Sequence, residues 1–115
     1  MELKIEKNEK KNVFVIKPIG RIDPLTVEDF DEAIADAIKK GKVKIIIDCS
    51  RLEYISSAGL GVLIGYIEEV REKNGDIVIC CTNPGVYEIF DLLGFTKVYR
   101  FFPGLDEAEK FLENA

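Results

Sequence analysis

Two adjacent serines carry the chemistry that this sequence offers most plainly. Ser56 and Ser57 lie in residues 48–61 (DCSRLEYISSAGLG), between a buried strand and a predicted helix. The first N–H groups of a helix lack intrahelical partners and carry the positive end of its dipole, so a phosphate on either hydroxyl would be stabilised there. A serine at a helix start is also an ordinary N-cap, worth about 1 kcal/mol. The spacing taken alone favours that simpler interpretation.

Enzymatic interpretations of the same segment are weaker. Ser57 as a nucleophile would have no histidine to activate it, because the sequence contains none, and Ile55 replaces the first glycine of a G-x-S-x-G motif. Gly59 and Gly61 do not form a dinucleotide fingerprint, since the third glycine position is Ile64, and no G-K-[ST] motif occurs. We therefore predict no catalytic residue, no nucleotide site and no cofactor.

The three cysteines, Cys49, Cys80 and Cys81, are predicted to be small buried apolar residues. Their odd count gives no disulfide framework. Neighbouring side chains of a regular strand point to opposite faces, so Cys80 and Cys81 are not expected to pair or to chelate one ion. The absence of histidine also removes the usual metal ligand and the simple near-neutral pH switch. No metal site is predicted.

Strand-like and helix-like segments alternate along the chain, which predicts an α/β fold with a mixed, mostly parallel sheet. Ile45, Ile46 and Ile47 make residues 43–48 apolar on both faces, as a central strand covered by helices requires. Residues 3–5 are expected to pair antiparallel with 13–19 across a charged stretch at 6–11. About four helices are expected, in a single domain over residues 1–115. The predicted strands, about five, are 3–5, 13–19, 43–48, 77–81 and 98–102.

Capping residues, glycines and apolar spacing set the predicted helices. The caps and stops are Thr26 and Gly41 for the first helix, Asn83-Pro84 and Gly94 for the third, and Asp106 for the fourth. The second helix, residues 57–73, has an apolar stripe at Leu60, Leu63, Ile64, Ile67 and Val70, and a flank of small residues at Ala58, Gly61 and Gly65. We expect this flank to bring the second helix close to the sheet.

Composition and charge exclude several classes of function. With 47% hydrophobic and 32% charged residues in 115 positions, the chain has both a core and a solvated surface. A net charge of −5 disfavours binding to phosphate backbones and anionic lipids, which attract basic faces. No apolar run approaches the ~18 residues that span a bilayer. We therefore predict a cytoplasmic protein that binds neither nucleic acid nor membrane.

Two polar loops are expected to meet at one edge of the sheet, because sites of open α/β sheets gather beyond the carboxyl ends of strands. These loops are residues 20–26 (GRIDPLT) and 48–61. With these motifs the chain resembles the anti-sigma factor antagonists, bacterial members of the STAS domain family. The resemblance rests on Gly20-Arg21-Ile22-Asp23, on residues 43–48 followed by Leu52 and Ile55, and on residues 56–63 (SSAGLGVL), and it continues through Asn83-Pro84, Phe90 and Leu93-Gly94 to Phe101.

The resemblance implies a protein that binds an anti-sigma factor, a serine kinase of the histidine-kinase-like ATPase type, and so frees a sigma factor. Phosphorylation of one serine by that kinase ends the binding, and a serine phosphatase restores it. The family's phosphorylated serine corresponds to Ser57, and its acidic loop residue implicated in kinase contact corresponds to Asp23. Where the family often has aspartate before that serine, this chain has Ser56, the second candidate acceptor. The implied partner-binding residues are Asp23, Ser56, Ser57, Ala58, Gly59 and Leu60.

Two other functions are alternatives to this one. The first is a STAS domain that is not phosphorylated and serves as a scaffold or small-ligand sensor in a larger signalling assembly. The second is an enzyme with Ser57 or Cys80 as nucleophile, for which the sequence offers no evident acid or base partner. A phosphate adds about −1.5 to −2 charges at pH 7. A helix start tolerates this charge and a packed interface does not, so we expect a switch in the surface rather than in the fold. Asp23 and Asp48 are expected to add like-charge repulsion at this edge.

Overall fold

Strands and helices alternate through residues 3–114, the part of the chain that the computed structural model describes. The predicted domain over 1–115 also includes residues 1, 2 and 115, which lie outside this range. The six strands of the described range are β1 (Leu3–Lys10), β2 (Val13–Ile22), β3 (Lys44–Asp48), β4 (Leu52–Ile55), β5 (Asp76–Cys80) and β6 (Phe101–Phe102). Its four α-helices are α1 (Val27–Lys39), α2 (Ser57–Glu72), α3 (Pro84–Leu92) and α4 (Leu105–Glu113).

The ten-residue strand β2 organises the sheet. β1 runs antiparallel along one edge of β2, and the other edge of β2 pairs in parallel with β3 through its first half and with β4 through its second half. β5 pairs in parallel with β3, and β6 with β5, so the order is β1-β2-β3-β5-β6. The sheet is therefore mixed and mostly parallel with an antiparallel N-terminal edge, which confirms the predicted fold class.

β1, β4 and β6 differ most from the prediction, and β2 continues three residues beyond its predicted end at 19, to Ile22. β1 extends through the charged residues to Lys10, because an edge strand needs only one partly buried face and tolerates outward charges. β4 occupies four residues that were expected to be loop, and its ends, Leu52 and Ile55, are buried. The last strand has only the two residues of β6, since Val98 N and Tyr99 N donate hydrogen bonds to Phe95 O and so continue the 3₁₀ turn at Phe95–Lys97.

The sheet is covered on both faces. Helices α1, α2 and α3 bury one face, where Ile45 and Ile47 pack against Phe30, Leu63 and other residues of the larger core. The short helix α4 covers part of the other face, where Ile46 belongs to a smaller cluster with residues of α4. The opposite directions of the three isoleucines confirm the prediction of a central strand. Each helix within residues 3–114 is too short or too polar to cross a lipid bilayer.

Most of the predicted helix ends are confirmed. Gly41 and Gly94 both adopt the left-handed conformation with φ of 80°. Asn83 Oδ1 accepts a hydrogen bond from Val86 N at 2.8 Å and caps α3. The prediction for α4 is wrong by two residues, because Gly104 is the N-cap and Asp106 lies within the first turn, where its charge still favours the helix dipole.

Candidate functional site

The two polar loops meet at the carboxyl edge of the sheet, as the sequence predicted. Ile22, the last residue of β2, pairs with Ile55, the last residue of β4. One residue further, Ser56 N donates a hydrogen bond to Ile22 O at 2.8 Å. The loop that begins at Asp23 and the start of α2 are therefore held side by side by backbone pairing.

Ser56 and Ser57 have different environments. Ser56 is 8% exposed, and its Oγ has no hydrogen-bond partner among residues 3–114. It occupies the N-cap position of α2 with extended backbone angles, yet its side chain makes no capping hydrogen bond. Ser57 is exposed and is the first residue of α2. The interpretation of this pair as a simple hydroxyl cap is therefore wrong for Ser56, and the accessible hydroxyl belongs to Ser57.

The loop between β2 and α1 is folded by its own side chains. Asp23 Oδ1 accepts hydrogen bonds from Leu25 N at 2.9 Å and from Thr26 N at 3.2 Å. The Thr26 hydroxyl donates to Arg21 O at 2.8 Å and accepts from Asp23 N at 3.0 Å. Thr26 is the N-cap residue of α1 as predicted, but its hydroxyl holds this loop instead of capping the helix. Asp23 thus has a structural role in setting the shape of the loop.

Two exposed apolar side chains near this edge were missed or misassigned by the sequence analysis. Leu25, at the tip of the loop, is 90% exposed. Ile64 was placed in the apolar stripe of α2, but it is 58% exposed. Seven residues separate Ile64 from Ser57, about two helical turns, so both lie on one face of α2. The sequence does contain a signal for the exposure of Leu25, because this apolar residue lies inside a polar turn, between Pro24 and the N-cap of α1.

Gly59, rather than the predicted flank, brings α2 close to the sheet. A Cβ at Gly59 would lie 2.7 Å from Ile22 Cγ2 and 2.7 Å from Ile55 Cγ1, so only glycine fits against these strand ends. At Gly61 and Gly65 a Cβ would have no neighbour within 4 Å in the described part of the chain. The predicted role of Gly61 and Gly65 is wrong, because they point to solvent together with Ile64.

A hydrogen bond between side chains also fixes α2 against α1. The Tyr66 hydroxyl of α2 donates to Asp31 Oδ1 of α1. This bond, together with burial and the charge of Asp31, raises the pKa of Tyr66 to about 12. The hydroxyl therefore remains a donor at neutral pH, and the orientation of the Ser57 helix is secured away from its N-terminus.

Asp48 does not contribute to the serine edge as predicted. The residue is 7% exposed, and its Oδ1 accepts a hydrogen bond from Ser50 N at 3.0 Å. Its neighbours are the thiols of Cys80 and Cys81, on the face of the sheet that α4 covers. The like-charge repulsion expected from Asp48 at the serine edge is therefore wrong, and the repulsion expected from Asp23 stays a prediction.

Two of the three cysteines are buried as predicted, and Cys81 departs from the prediction. Cys49 and Cys80 are buried, and desolvation raises the pKa of both thiols above the usual range. Cys81 follows β5 with a φ of 67°, so it is not part of a regular strand. Its Sγ lies 3.1 Å from Cys80 Sγ. The expectation that these two thiols point to opposite faces is wrong.

Comparisons with known proteins identify the class of α/β domain to which this fold belongs. The sequence model of the STAS domain matches residues 4–108, and the chain belongs to the STAS domain family. The anti-sigma F factor antagonist of Paenibacillus polymyxa is 27% identical to it over 103 residues, which cover 89% of this chain and 88% of that protein.

Solved structures share the same architecture. An anti-sigma factor antagonist from Mycobacterium paratuberculosis superposes with a TM-score of 0.89 and 23% identity, over 97% of this chain and 95% of that chain. The anti-sigma factor antagonist SpoIIAA in its unphosphorylated form gives a TM-score of 0.84 and 23% identity, over 97% of this chain and 98% of that chain. Bacillus SpoIIAA in its phosphorylated form gives 0.70 and 24%, over 94% of this chain and 96% of that chain.

Proposed function

We propose that this protein is an anti-sigma factor antagonist switched by phosphorylation of Ser57. In its unmodified form it binds an anti-sigma factor serine kinase of the histidine-kinase-like ATPase type and so releases a sigma factor. Phosphorylation ends the binding, and a serine phosphatase restores it. The observation that carries the proposal is the exposed Ser57 hydroxyl at the first residue of α2, beside a buried Ser56. The name of the Paenibacillus relative supports the same function.

Exposure favours Ser57 over Ser56 as the acceptor. A kinase has to place the γ-phosphate in line with the attacking hydroxyl, which requires open space on one side of that hydroxyl. Ser56, which is only 8% exposed, would need local opening of the helix start before it could react. Ser57 needs no such opening.

The helix start accommodates the product of this reaction. The first turn of α2 contains no acidic residue, so a phosphate on Ser57 meets no like charge within that turn. Its negative charge lies at the positive end of the helix dipole and near N–H groups without helical partners. We therefore propose that phosphorylation changes the surface and leaves the fold intact.

The proposed contact surface consists of the exposed parts of both loops. Ser57, the half-buried Ala58 and Asp23 offer contacts directly, and we add the exposed side chains of Leu25 and Ile64. The remaining proposed residues, Ser56, Gly59 and Leu60, are buried and shape this surface from beneath. A partner can pack against the apolar side chains of Leu25 and Ile64 and beside the neutral hydroxyl of Ser57. A phosphate on Ser57 would place an unpaired charge in this interface and disrupt it.

The proposed role also determines where the protein acts and which kinds of partner it binds. Residues 1–115 act as one domain in the cytoplasm, with protein partners and without nucleic acid or membrane, and the switch at Ser57 uses no cofactor. The chain has no catalytic residue of its own, since Ser57 is the substrate of the kinase and no histidine is present to make it a nucleophile.

Phosphorylation by the anti-sigma factor tests the site assignment. We expect incubation with this kinase and ATP to add one phosphate per chain, all of it on Ser57, measured by intact mass and peptide mapping. Ser57→Ala should accept none, while Ser56→Ala, the matched control, should accept as much as the wild type. Phosphate on Ser56 would refute the assignment. No phosphate on a chain that binds the kinase would favour the scaffold or sensor function.

A further inference from the structure

Three metal-ligating side chains meet on the face of the sheet opposite the Ser57 helix. Asp48 ends β3, Cys80 ends β5, and Cys81 follows directly. One carboxylate oxygen and the two Sγ atoms all lie within 4.8 Å of one another. Asp48 is 7% exposed, Cys80 is fully buried and Cys81 is half-buried. We call this group the thiol cluster.

The backbone at Cys81 creates the thiol cluster. Cys81 adopts a φ of 67°, a left-handed conformation that is unfavourable for a residue with a side chain. Cys81 N donates to Phe102 O at 3.1 Å, and Cys49 N donates to Cys80 O at 3.0 Å, so strand pairing holds both residues in place. This turn brings the Cys81 thiol beside that of Cys80, where a regular strand would separate them.

We propose that the thiol cluster binds a thiophilic divalent cation of the Zn²⁺ type. Two thiolates and one carboxylate are ligands that zinc accepts, whereas Mg²⁺ and Ca²⁺ require oxygen ligands. Zinc–sulfur distances of about 2.3 Å and zinc–oxygen distances of about 2.0 to 2.2 Å place tetrahedral ligand atoms about 3.3 to 3.8 Å apart. The atoms of the thiol cluster need only small side-chain adjustments to reach this geometry.

The residues around the thiol cluster give a cation access to it, orient one of its ligands and set the local charge. Asp48 lines a solvent-open cavity of about 520 Å³ together with Glu6, Lys17 and Leu105, so a cation can approach the thiol cluster from the carboxylate side and keep a water as a fourth ligand there. The hydrogen bond from Ser50 N to Asp48 Oδ1 orients the carboxylate, as outer partners of metal ligands do. Lys7 and Lys17 at the cavity oppose the cation. The ionised ligand set, with three negative charges, outweighs them at contact distance.

Metal binding releases the thiol protons of Cys80 and Cys81 to the solvent. Burial raises the pKa of Cys80 and of Cys81, so both thiols carry protons when no metal is bound. A bound cation replaces one proton on each sulfur, and both protons pass to the buffer without any redox change. The proposal does not depend on Ser57 or on the anti-sigma factor, because the two sites lie on opposite faces of the sheet.

Metal titration of the whole reduced protein tests the proposal. We expect one Co²⁺ per chain with thiolate-to-cobalt charge-transfer absorbance, and stoichiometric displacement of that absorbance by Zn²⁺. Cys81→Ser and Asp48→Asn should each lower the affinity by about tenfold to hundredfold or more, since each removes a direct ligand. Cys49→Ala is the matched control: it removes a buried thiol whose Sγ is directed to Ile47 O at 3.9 Å. It should bind like the wild type.

Circular dichroism of each variant separates loss of a ligand from loss of the fold, and the near-isosteric Asp48→Asn keeps the test available if Cys81→Ser does not fold. The proposal is overturned by wild-type binding weaker than about 1 mM. It is equally overturned by unchanged affinity in a folded cluster variant, or by a loss in Cys49→Ala as large as in Cys81→Ser.

Discussion

Ser57→Asp is expected to lower the affinity for the anti-sigma factor about a hundredfold, while the protein unfolds at the wild-type temperature or slightly above it. The carboxylate has to be buried against a partner surface that fits a neutral hydroxyl. An unpaired interfacial charge costs a few kcal/mol, and about 2.7 kcal/mol corresponds to a hundredfold change in affinity. Aspartate carries less charge and bulk than phosphoserine, so the loss should be partial.

The fold should tolerate this substitution because of where Ser57 lies. It is the exposed first residue of α2, and the first turn of α2 has no other acidic side chain. A carboxylate there interacts favourably with the helix dipole by about 0.3 to 1 kcal/mol. The same negative charge is therefore neutral or favourable for folding and unfavourable for binding.

Calorimetric titration and thermal melts of matched variants distinguish these effects. Ser57→Asn has the size of the aspartate without its charge, and Ser57→Ala has neither, so both should bind far more tightly than Ser57→Asp. A large fall in the melting temperature of Ser57→Asp would place the effect in the fold. Equal affinities of the asparagine and aspartate variants would show that charge at this position is not the control.

Gly59→Ala is expected to destabilise the protein, while Gly61→Ala stabilises it. Alanine is a better helix former than glycine by about 1 kcal/mol at either position. At Gly59 the new Cβ would lie 2.7 Å from branched carbons of Ile22 and Ile55, which are both fully buried, whereas Gly61 faces open space among the described residues. Overpacking of this kind costs about 1 to 3 kcal/mol, and isoleucine side chains in strands have little freedom to move away.

Urea unfolding of the two variants and the wild type measures this difference. Gly61→Ala should unfold at a higher urea concentration than wild type, and Gly59→Ala at a lower one, with unchanged slopes. Because the gain in helix propensity is common to both, the gap between the variants reports the clash at Gly59. Equal stabilities would mean that α2 moves away from the strand ends at no cost, and that Gly59 does not position Ser57.

The sequence was sufficient for the parts of the fold that local patterns determine. Three consecutive isoleucines at 45–47 predicted a central strand buried on both faces, and Asn83 with Pro84 predicted the start of α3. Gly94 predicted its end. In each case the physical signal, either two-sided apolarity or a capping residue, is contained in a few neighbouring residues.

Features that depend on long-range packing were not predicted. β4 is a strand only because the second half of β2 offers it an unpaired edge, which four residues of sequence do not reveal. Ile64 fits the apolar spacing of α2, but the width of the buried face depends on how closely Gly59 brings the helix to the sheet. The left-handed conformation of Cys81 likewise has no signal in its residue type, since glycine and asparagine are the usual residues there.

The candidate site was predicted in part. The motif at 56–63 identified the serine pair, and the order of strands brought the Asp23 loop beside it, as the Ser56–Ile22 hydrogen bond shows. The sequence did not separate Ser56 from Ser57 on physical grounds, because burial of one and exposure of the other follow from the packing of β4 against β2.

The affinity of the anti-sigma factor for protein carrying phosphoserine at position 57 tests the central claim most directly. The partner is the anti-sigma factor that co-purifies with this chain from its native cell, and the comparison is with unmodified protein and Ser57→Ala in the same calorimetric titration. The proposed switch predicts that phosphoserine lowers the affinity by more than the aspartate substitution does, beyond about a hundredfold, while the alanine variant binds like the unmodified protein. Equal affinities of the phosphorylated and unmodified proteins would contradict it.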